Sequence, residues 1–309
     1  TVCRFNDKED FRMKVAKSDR VFFTINYIFL SFILLIVLYP LIYIVSCSFS
    51  NPQAVVAGRV WLFPVQPSLA GYKTIFENSS VMTGYRNTII YTVAGTTLAL
   101  LMTILAAYPL SRKDFALGNV LMVIFTFTMY FGGGLIPTYI LVTNLHLSNT
   151  RAVMIILGSL SVYNVIVMRT FFRTNIPQEL LEAAQVDGYG DYRFLWTIVL
   201  PLSKAVIAVI TLFYAVGYWN SWFNALIYIS DRSKYPLQIV LREILILNKV
   251  DAEMLASGQM TTEDIAIKQN MYELLKFSLI IVASLPVLCV YPFIQRYFIK
   301  GVMIGAIKG

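Results

Sequence analysis

VFFTINYIFLSFILLIVLYPLIYIVSCSF, residues 21–49, runs for 29 residues without one Asp, Glu, Lys or Arg. A helix needs about 20 mostly apolar residues to cross the hydrocarbon core of a bilayer, so this stretch can span on its own. It is also longer than the apolar region of a secretory signal and is expected to stay as a membrane span. Five more charge-free stretches follow at 88–111, 115–150, 152–168, 205–230 and 277–295, with 24, 36, 17, 26 and 19 residues. The six hold about half of the 309 residues. Composition agrees: 58% of residues are hydrophobic and 14% charged, with mean hydropathy +0.68, whereas a soluble domain carries about 25% charged residues. The expected fold class is an all-α integral membrane protein with six transmembrane helices.

The net charge of +8 raises the question of nucleic acid, and the placement of the charges answers it. With both termini in the cytoplasm, the inner segments hold 15 basic and 9 acidic residues and the outer segments 10 and 8. Five of the outer basic residues sit in the long segment 231–271, and long loops translocate largely regardless of charge. The basic excess therefore orients the protein in a lipid bilayer, with no nucleic-acid partner. The expected order is a cytoplasmic segment 1–20, a first span 21–49 and an extracytoplasmic loop 50–86. A five-span core 87–299 follows, with a cytoplasmic loop 174–202 and an extracytoplasmic loop 231–271. A basic cytoplasmic tail closes the chain at 300–309.

Covalent chemistry finds little to work with. His146 is the single histidine and reads as a loop residue; Cys3, Cys47 and Cys289 form no CxxC pair. No cofactor or metal is expected on this chain. There is no GxxxxGK[ST] phosphate loop, because Gly132-Gly133-Gly134 is followed by Leu135. None of the six stretches contains an acid, by construction, and ion-coupled carriers more often carry one within a span. Energy must then come from a partner.

The loop 170–204, TFFRTNIPQELLEAAQVDGYGDYRFLWTIVLPLSK, carries the most information. Asn175 reads as a helix N-cap, with Pro177 in the first turn and Glu179 complementing the positive helix end. Leu180, Leu181 and Ala184 form an apolar stripe, Glu182 and Gln185 face elsewhere, and Gly188 suits a helix stop. A second helix begins near Asp191 and packs Phe194 and Ile198 before Pro201. These residues alone describe a short amphipathic helix on the inner membrane face, either a connector or a contact for a partner.

Glu182-Ala183-Ala184, Asp187-Gly188, Phe194, Ile198 and Leu200-Pro201-Leu202 resemble the EAA loop of ABC-importer permeases. The resemblance extends over about 87–308 and includes 131–139 (FGGGLIPTY), Tyr218-Trp219-Asn220 with Trp222-Phe223-Asn224, and Tyr235-Pro236-Leu237-Gln238. Together these are similar to the carbohydrate-uptake branch, for oligosaccharides and polysaccharide fragments. Tyr189 stands where the family usually has alanine, and Ala205 where a second proline is common. The resemblance implies the type I ABC importer permease fold in a bacterial cytoplasmic membrane. The implied partners are a second permease, two ATPase subunits that use ATP and Mg, and an extracytoplasmic sugar-binding protein. It also implies that Glu182, Ala183, Ala184, Asp187 and Gly188 couple to the ATPase. A permease for a non-sugar solute, or a standalone secondary carrier, is the alternative.

Substrate-pathway candidates follow from side-chain chemistry. Aromatic faces with amides suit a sugar ring and its hydroxyls, as at Tyr218, Trp219, Asn220, Trp222 and Asn224; an interfacial aromatic belt would use the same residues. Tyr163 and Asn164 form a second, smaller set. Gly132, Gly133 and Gly134 suit either a broken helix lining a pathway or close helix contact. Arg86 and Asn87 read as interfacial anchors.

Overall fold

The computed structural model describes residues 17–255 and 262–306. The basic positions 4–14, residues 256–261 of the long outer loop and the last residues 307–309 of the tail lie outside the described residues. In chain order the helices are α1 (Lys17–Ser48), α2 (Pro52–Val56), α3 (Ala70–Glu77), α4 (Ser79–Ser111), α5 (Gly118–Tyr130), α6 (Leu135–Asn144), α7 (Arg151–Ile156) and α8 (Val162–Asn175). Then come α9 (Gln178–Val186), α10 (Asp191–Phe194), a π-helical segment Leu195–Val199, α11 (Leu200–Leu202), α12 (Lys204–Trp219), α13 (Trp222–Tyr228), α14 (Leu237–Leu255) and α15 (Thr262–Ala306). No strand occurs among the described residues.

Three segments are continuous helices long and apolar enough to cross a bilayer: Asp19–Ser48, Ser79–Ser111 and Gln269–Pro292. Two more stretches fold as bent pairs. Gly118–Tyr130 and Leu135–Asn144 meet at 110°, and Asp191–Leu202 and Lys204–Trp219 at 85°. The stretch 152–168 is not one helix either. It divides into α7 and α8 at Gly158, whose φ of +85° ends the first helix, and Ser161, whose Oγ accepts from the Asn164 N–H at 3.4 Å to cap the second. Freedom from charge thus does not mark helix continuity: glycine and serine interrupt the backbone where hydropathy does not change.

Helix α1 stands apart. Its side chains from Val21 to Leu41 are exposed within this chain, and only the last turns pack, with the Tyr43 ring edge-on to Phe277 at 5.8 Å and Cys47 buried. The S-C-S-F-S run at its end then pins the following loop. Ser46 Oγ donates to Leu62 O (2.6 Å), Ser50 Oγ accepts from the Val65 N–H (3.0 Å), and Tyr72 OH donates to Ser48 Oγ (2.8 Å). Residues read as an irregular loop are therefore folded onto the body, and α4 already begins at Ser79, before Arg86.

Helix α4 is the axis of the bundle, packing on α12, α8, α14 and α7. With 33 residues at 1.5 Å each it is about 50 Å long, so one helix touches both ends of the molecule. Within the bundle, Thr103 Oγ1 and Tyr214 OH of α12 share a buried hydrogen bond of 2.7 Å, and the same hydroxyl accepts from the Ser161 N–H at 3.0 Å. At Gly95 the Tyr218 ring of α12 lies against the α4 backbone. A Cβ there would lie 2.5 Å from the Tyr218 ring, so the aromatic fits only against glycine.

Candidate functional site

Helix α9 carries the E-A-A residues, and its boundaries differ from the sequence expectation at one end. Asn175 is not its cap but the last residue of α8, and its amide donates back to Phe171 O at 3.2 Å. Pro177 takes the N-cap position with extended backbone, which stops α8 and starts α9 within two residues. At the other end Gly188 has φ +77°. Its N–H donates to Gln185 O (3.0 Å) and the Tyr189 N–H to Ala184 O (2.8 Å), the paired bonds of a Schellman stop.

The two alanines do different things. Ala184 is buried, and with Leu181, Tyr189, Phe194 and Leu195 it belongs to the core cluster that includes Met168, Phe172 and Ile210. Ala183 is exposed, together with Glu182, Val186 and Asp187; Val186 is 89% exposed. One face of α9 is thus seated on the bundle, and the other presents a short, acidic, small-residue surface. Glu182 Oε1 accepts from Gln178 Nε2 at 3.2 Å, which orients the carboxylate along that surface. Tyr189 carries the Arg193 guanidinium over its ring at 4.2 Å, so the larger side chain in place of alanine is accommodated. The bend at Ser203 forms with Ala205 in place, its N–H donating to Leu200 O at 3.1 Å.

Behind α9 lies a residue that the sequence reading counted only as an orienting charge. Arg112, at the end of α4, donates to Asp114 (2.6 and 2.9 Å), to Asp191 at the start of α10 (2.9 Å) and to Tyr108 OH (3.1 Å). Its side chain is only 12% exposed, while the carboxylates are 63% and 67% exposed. Hydrogen bonding from Arg112 holds the Asp114 carboxyl below the usual carboxylate range and raises the already high Arg112. Two clefts of about 330 and 350 Å³ flank this side chain, the second reaching Leu181, Glu182 and Gln185. One sequence signal was available, an Arg-Lys-Asp triplet ending a charge-free stretch; Asp191, 79 residues away, was not readable.

The pathway candidates separate into two groups. Tyr218 and Trp219 are buried and use their polar atoms internally: Tyr218 OH donates to Ile155 O at 2.7 Å, and Trp219 Nε1 to Ala283 O at 2.9 Å. Asn164 is buried too. Asn220, Trp222 and Tyr163 are exposed and Asn224 half-buried. Gly132, Gly133 and Gly134 form the exposed corner between α5 and α6, with Gly134 at φ +83°. An added Cβ would meet nothing within 4 Å at Gly132 or Gly134, so within this chain the triplet turns the backbone rather than admitting a neighbouring helix. His146 and Asn149 both have positive φ in the α6–α7 loop.

Asn87 departs from the anchoring expected of it. Its side chain is 1% exposed and donates to Ser233 O (2.8 Å) and Tyr235 O (3.0 Å). Thr88 Oγ1 accepts from the Leu237 N–H at 2.7 Å, and Tyr91 OH donates to Lys234 O at 2.8 Å. A Cβ at Gly84 would come within 3.0 Å of Leu237 Cα. The Tyr-Pro-Leu-Gln segment is therefore the piece of backbone that α4 holds at the end away from α9.

Comparison with known proteins gives this geometry its family. Residues 99–304 match the family described as the binding-protein-dependent transport system inner membrane component. The chain belongs to that family. Over 297 residues it is 38% identical to Protein LplC of Bacillus subtilis (strain 168), covering 96% of this chain and 98% of that protein. It is 37% identical to the polygalacturonan/rhamnogalacturonan transport system permease protein YtcP of the same organism, covering 94% and 99%. Among solved structures it matches a chain from a bacterial ABC transporter involved in the import of the acidic polysaccharide alginate. That match has TM-score 0.78 and 34% identity over 92% of this chain and 98% of the other. As a member of this inner-membrane component family, the chain is a membrane-embedded ABC permease subunit with the type I importer fold, and the split and bent helices above are how this sequence builds it.

Proposed function

We propose that this chain is the permease subunit of an ATP-driven importer that takes up oligosaccharides delivered by an extracytoplasmic binding protein. One observation carries the reading: α9 is seated on the bundle by Ala184 and Leu181 while Glu182, Ala183 and Asp187 face outward, closed by the Gly188 stop. The small Ala183 on the exposed face and a helix-ending glycine allow close approach to a groove, and the acids offer charge-assisted hydrogen bonds of roughly 1.5–3 kcal/mol each to basic groups of an ATPase. Helices α9 to α11 then lead directly into α12, and Arg112 links the start of α10 to α4. A displacement of α9 is thereby passed to the two helices that pack most closely in the bundle.

In this account both termini and α9 are cytoplasmic, and the end of α12 at Asn220 faces outward, as the distribution of basic residues supports. The partners are a second permease, two ATPase subunits that bind ATP and Mg, and the sugar-binding protein; this chain binds no cofactor and performs no covalent chemistry. The loaded binding protein docks outside, ATPase closure moves α9, the spans open outward, and hydrolysis restores the inward-facing state. The pathway is lined by the exposed candidates Gly132–Gly134, Tyr163, Asn220 and Trp222 and the half-buried Asn224, with Tyr218, Trp219 and Asn164 supporting them from behind. The relatives named for sugar polymers support a carbohydrate substrate.

The test is purification of the complex in mild detergent. An ATPase and a second permease should accompany the wild-type chain, and Gly188→Asp should lose them or uncouple ATP hydrolysis from uptake. A chain that comes out alone and moves solute without ATP would contradict the proposal.

A further inference from the structure

At the end of the bundle away from α9, one side chain has no counterpart among the expected pathway residues. Arg242 of α14 is exposed, and its guanidinium lies over the Trp222 ring at 4.6 Å from the centroid. One turn earlier on the same helix face, Gln238 Nε2 is 3.5 Å from Asn220 Oδ1. A cation, an indole face and two amides therefore share one surface patch. α12 separates this patch from the coupling helix by 16 residues, about 24 Å of helix.

Among the described side chains no carboxylate pairs with Arg242. Two acids of this outer segment are committed elsewhere, Glu243 to Arg232 at 3.8 Å and Asp231 to Lys234 at 3.2 Å. Stacking on an indole fixes the plane of a guanidinium and leaves its edge N–H groups free to donate. A planar fork of donors matches a carboxylate in bidentate fashion, and the amides alongside suit ring hydroxyls. A neutral sugar would use the indole and the amides and leave the cation idle.

Resting on the oligosaccharide-importer reading, we propose that Arg242, Trp222, Asn220 and Gln238 form an outer-face subsite that recognises the carboxylate of an acidic sugar unit, a uronate. The charge-free spans hold no basic group to meet such a substrate; α14 supplies it by folding back over α13.

The experiment uses the complete transporter with its binding protein in proteoliposomes and measures ATPase stimulation by trigalacturonate and by its methyl ester. Both forms of the transporter share one binding protein, so its own preference cancels when the acid-to-ester ratios of half-saturating concentration are compared. Arg242→Gln should shift that ratio about tenfold against the acid, as expected for loss of one charge-assisted contact. Arg242→Lys should retain most of the preference, and Trp222→Leu should weaken acid and ester together. An unchanged ratio in Arg242→Gln overturns the subsite while leaving oligosaccharide import standing. If neither sugar stimulates the wild-type complex, the uronate subsite is overturned, while oligosaccharide import stands or falls on the co-purification and uptake test above.

Discussion

The two ends of α4 are held by different chemistry. Near Asn87 the contacts are buried and neutral: an amide, a hydroxyl and a phenol capture successive backbone groups of residues 233–237, and Gly84 lets the Leu237 backbone approach. Near Arg112 the contacts are ionic and half in water, with two carboxylates more than half exposed on a single guanidinium. Buried neutral bonds are costly to break because each freed carbonyl loses its partner out of reach of water. Exposed ion pairs are worth a fraction of that and exchange readily with solvent. The Asn87 end is thus built to keep its shape, and the Arg112 end to shift between arrangements of similar energy, which suits the coupling to an ATPase proposed for α9.

The sharpest way to break this contrast is at the rigid end. Asn87→Asp keeps the shape but points a carboxylate at two carbonyls in a site that is 1% exposed. A loss of about 3–5 kcal/mol is expected, read as a large fall in the unfolding temperature of the purified complex. Next comes Gly95→Val, which forces side-chain atoms into the Tyr218 ring and should cost about 1–3 kcal/mol by the same measurement. Gly188→Ala meets open space but must hold φ near +77°, a strain of about 1–2 kcal/mol confined to the end of α9. It should lower sugar-stimulated ATPase activity severalfold while the unfolding temperature stays within a few degrees.

The smallest effect belongs to Arg112. Replacement by Gln should change stability by less than about 1 kcal/mol, and the difference from wild type should shrink in high salt. Its pH dependence has a definite sign. Asp114 has a folded-state pKa below its ordinary value, so its contribution is complete above the unfolded pKa near 3.9 and disappears as pH falls through the depressed value. Unfolding temperatures at pH 7.5 and 5.5 should therefore show the same gap between wild type and Arg112→Gln, and the gap should close only below about pH 4.

The contrast also explains what the sequence made legible. The membrane-embedded, all-helical class was visible because it depends on composition over long windows. The α9 end was visible because its determinants are local: Pro177, the two alanines and Gly188 lie within twelve residues of one another. Asn87 was misread as an anchor because its partners are backbone carbonyls 146 and 148 residues away, and a carbonyl has no residue identity to recognise. Arg112 was counted as a charge and not as a junction for the same reason of distance. Helix continuity was overestimated at 152–168 because a single glycine with positive φ outweighed an apolar pattern.

The central claim is that the outward face of α9 meets an ATPase while the Trp222 end does not. A photo-crosslinking residue placed at Val186, 89% exposed, and another at Phe223, 47% exposed, test it in the intact complex. The account predicts that Val186 captures the ATPase subunit and Phe223 never does. Capture of the ATPase from Phe223, or a Val186 probe that reaches no ATPase in an actively hydrolysing complex, would contradict it.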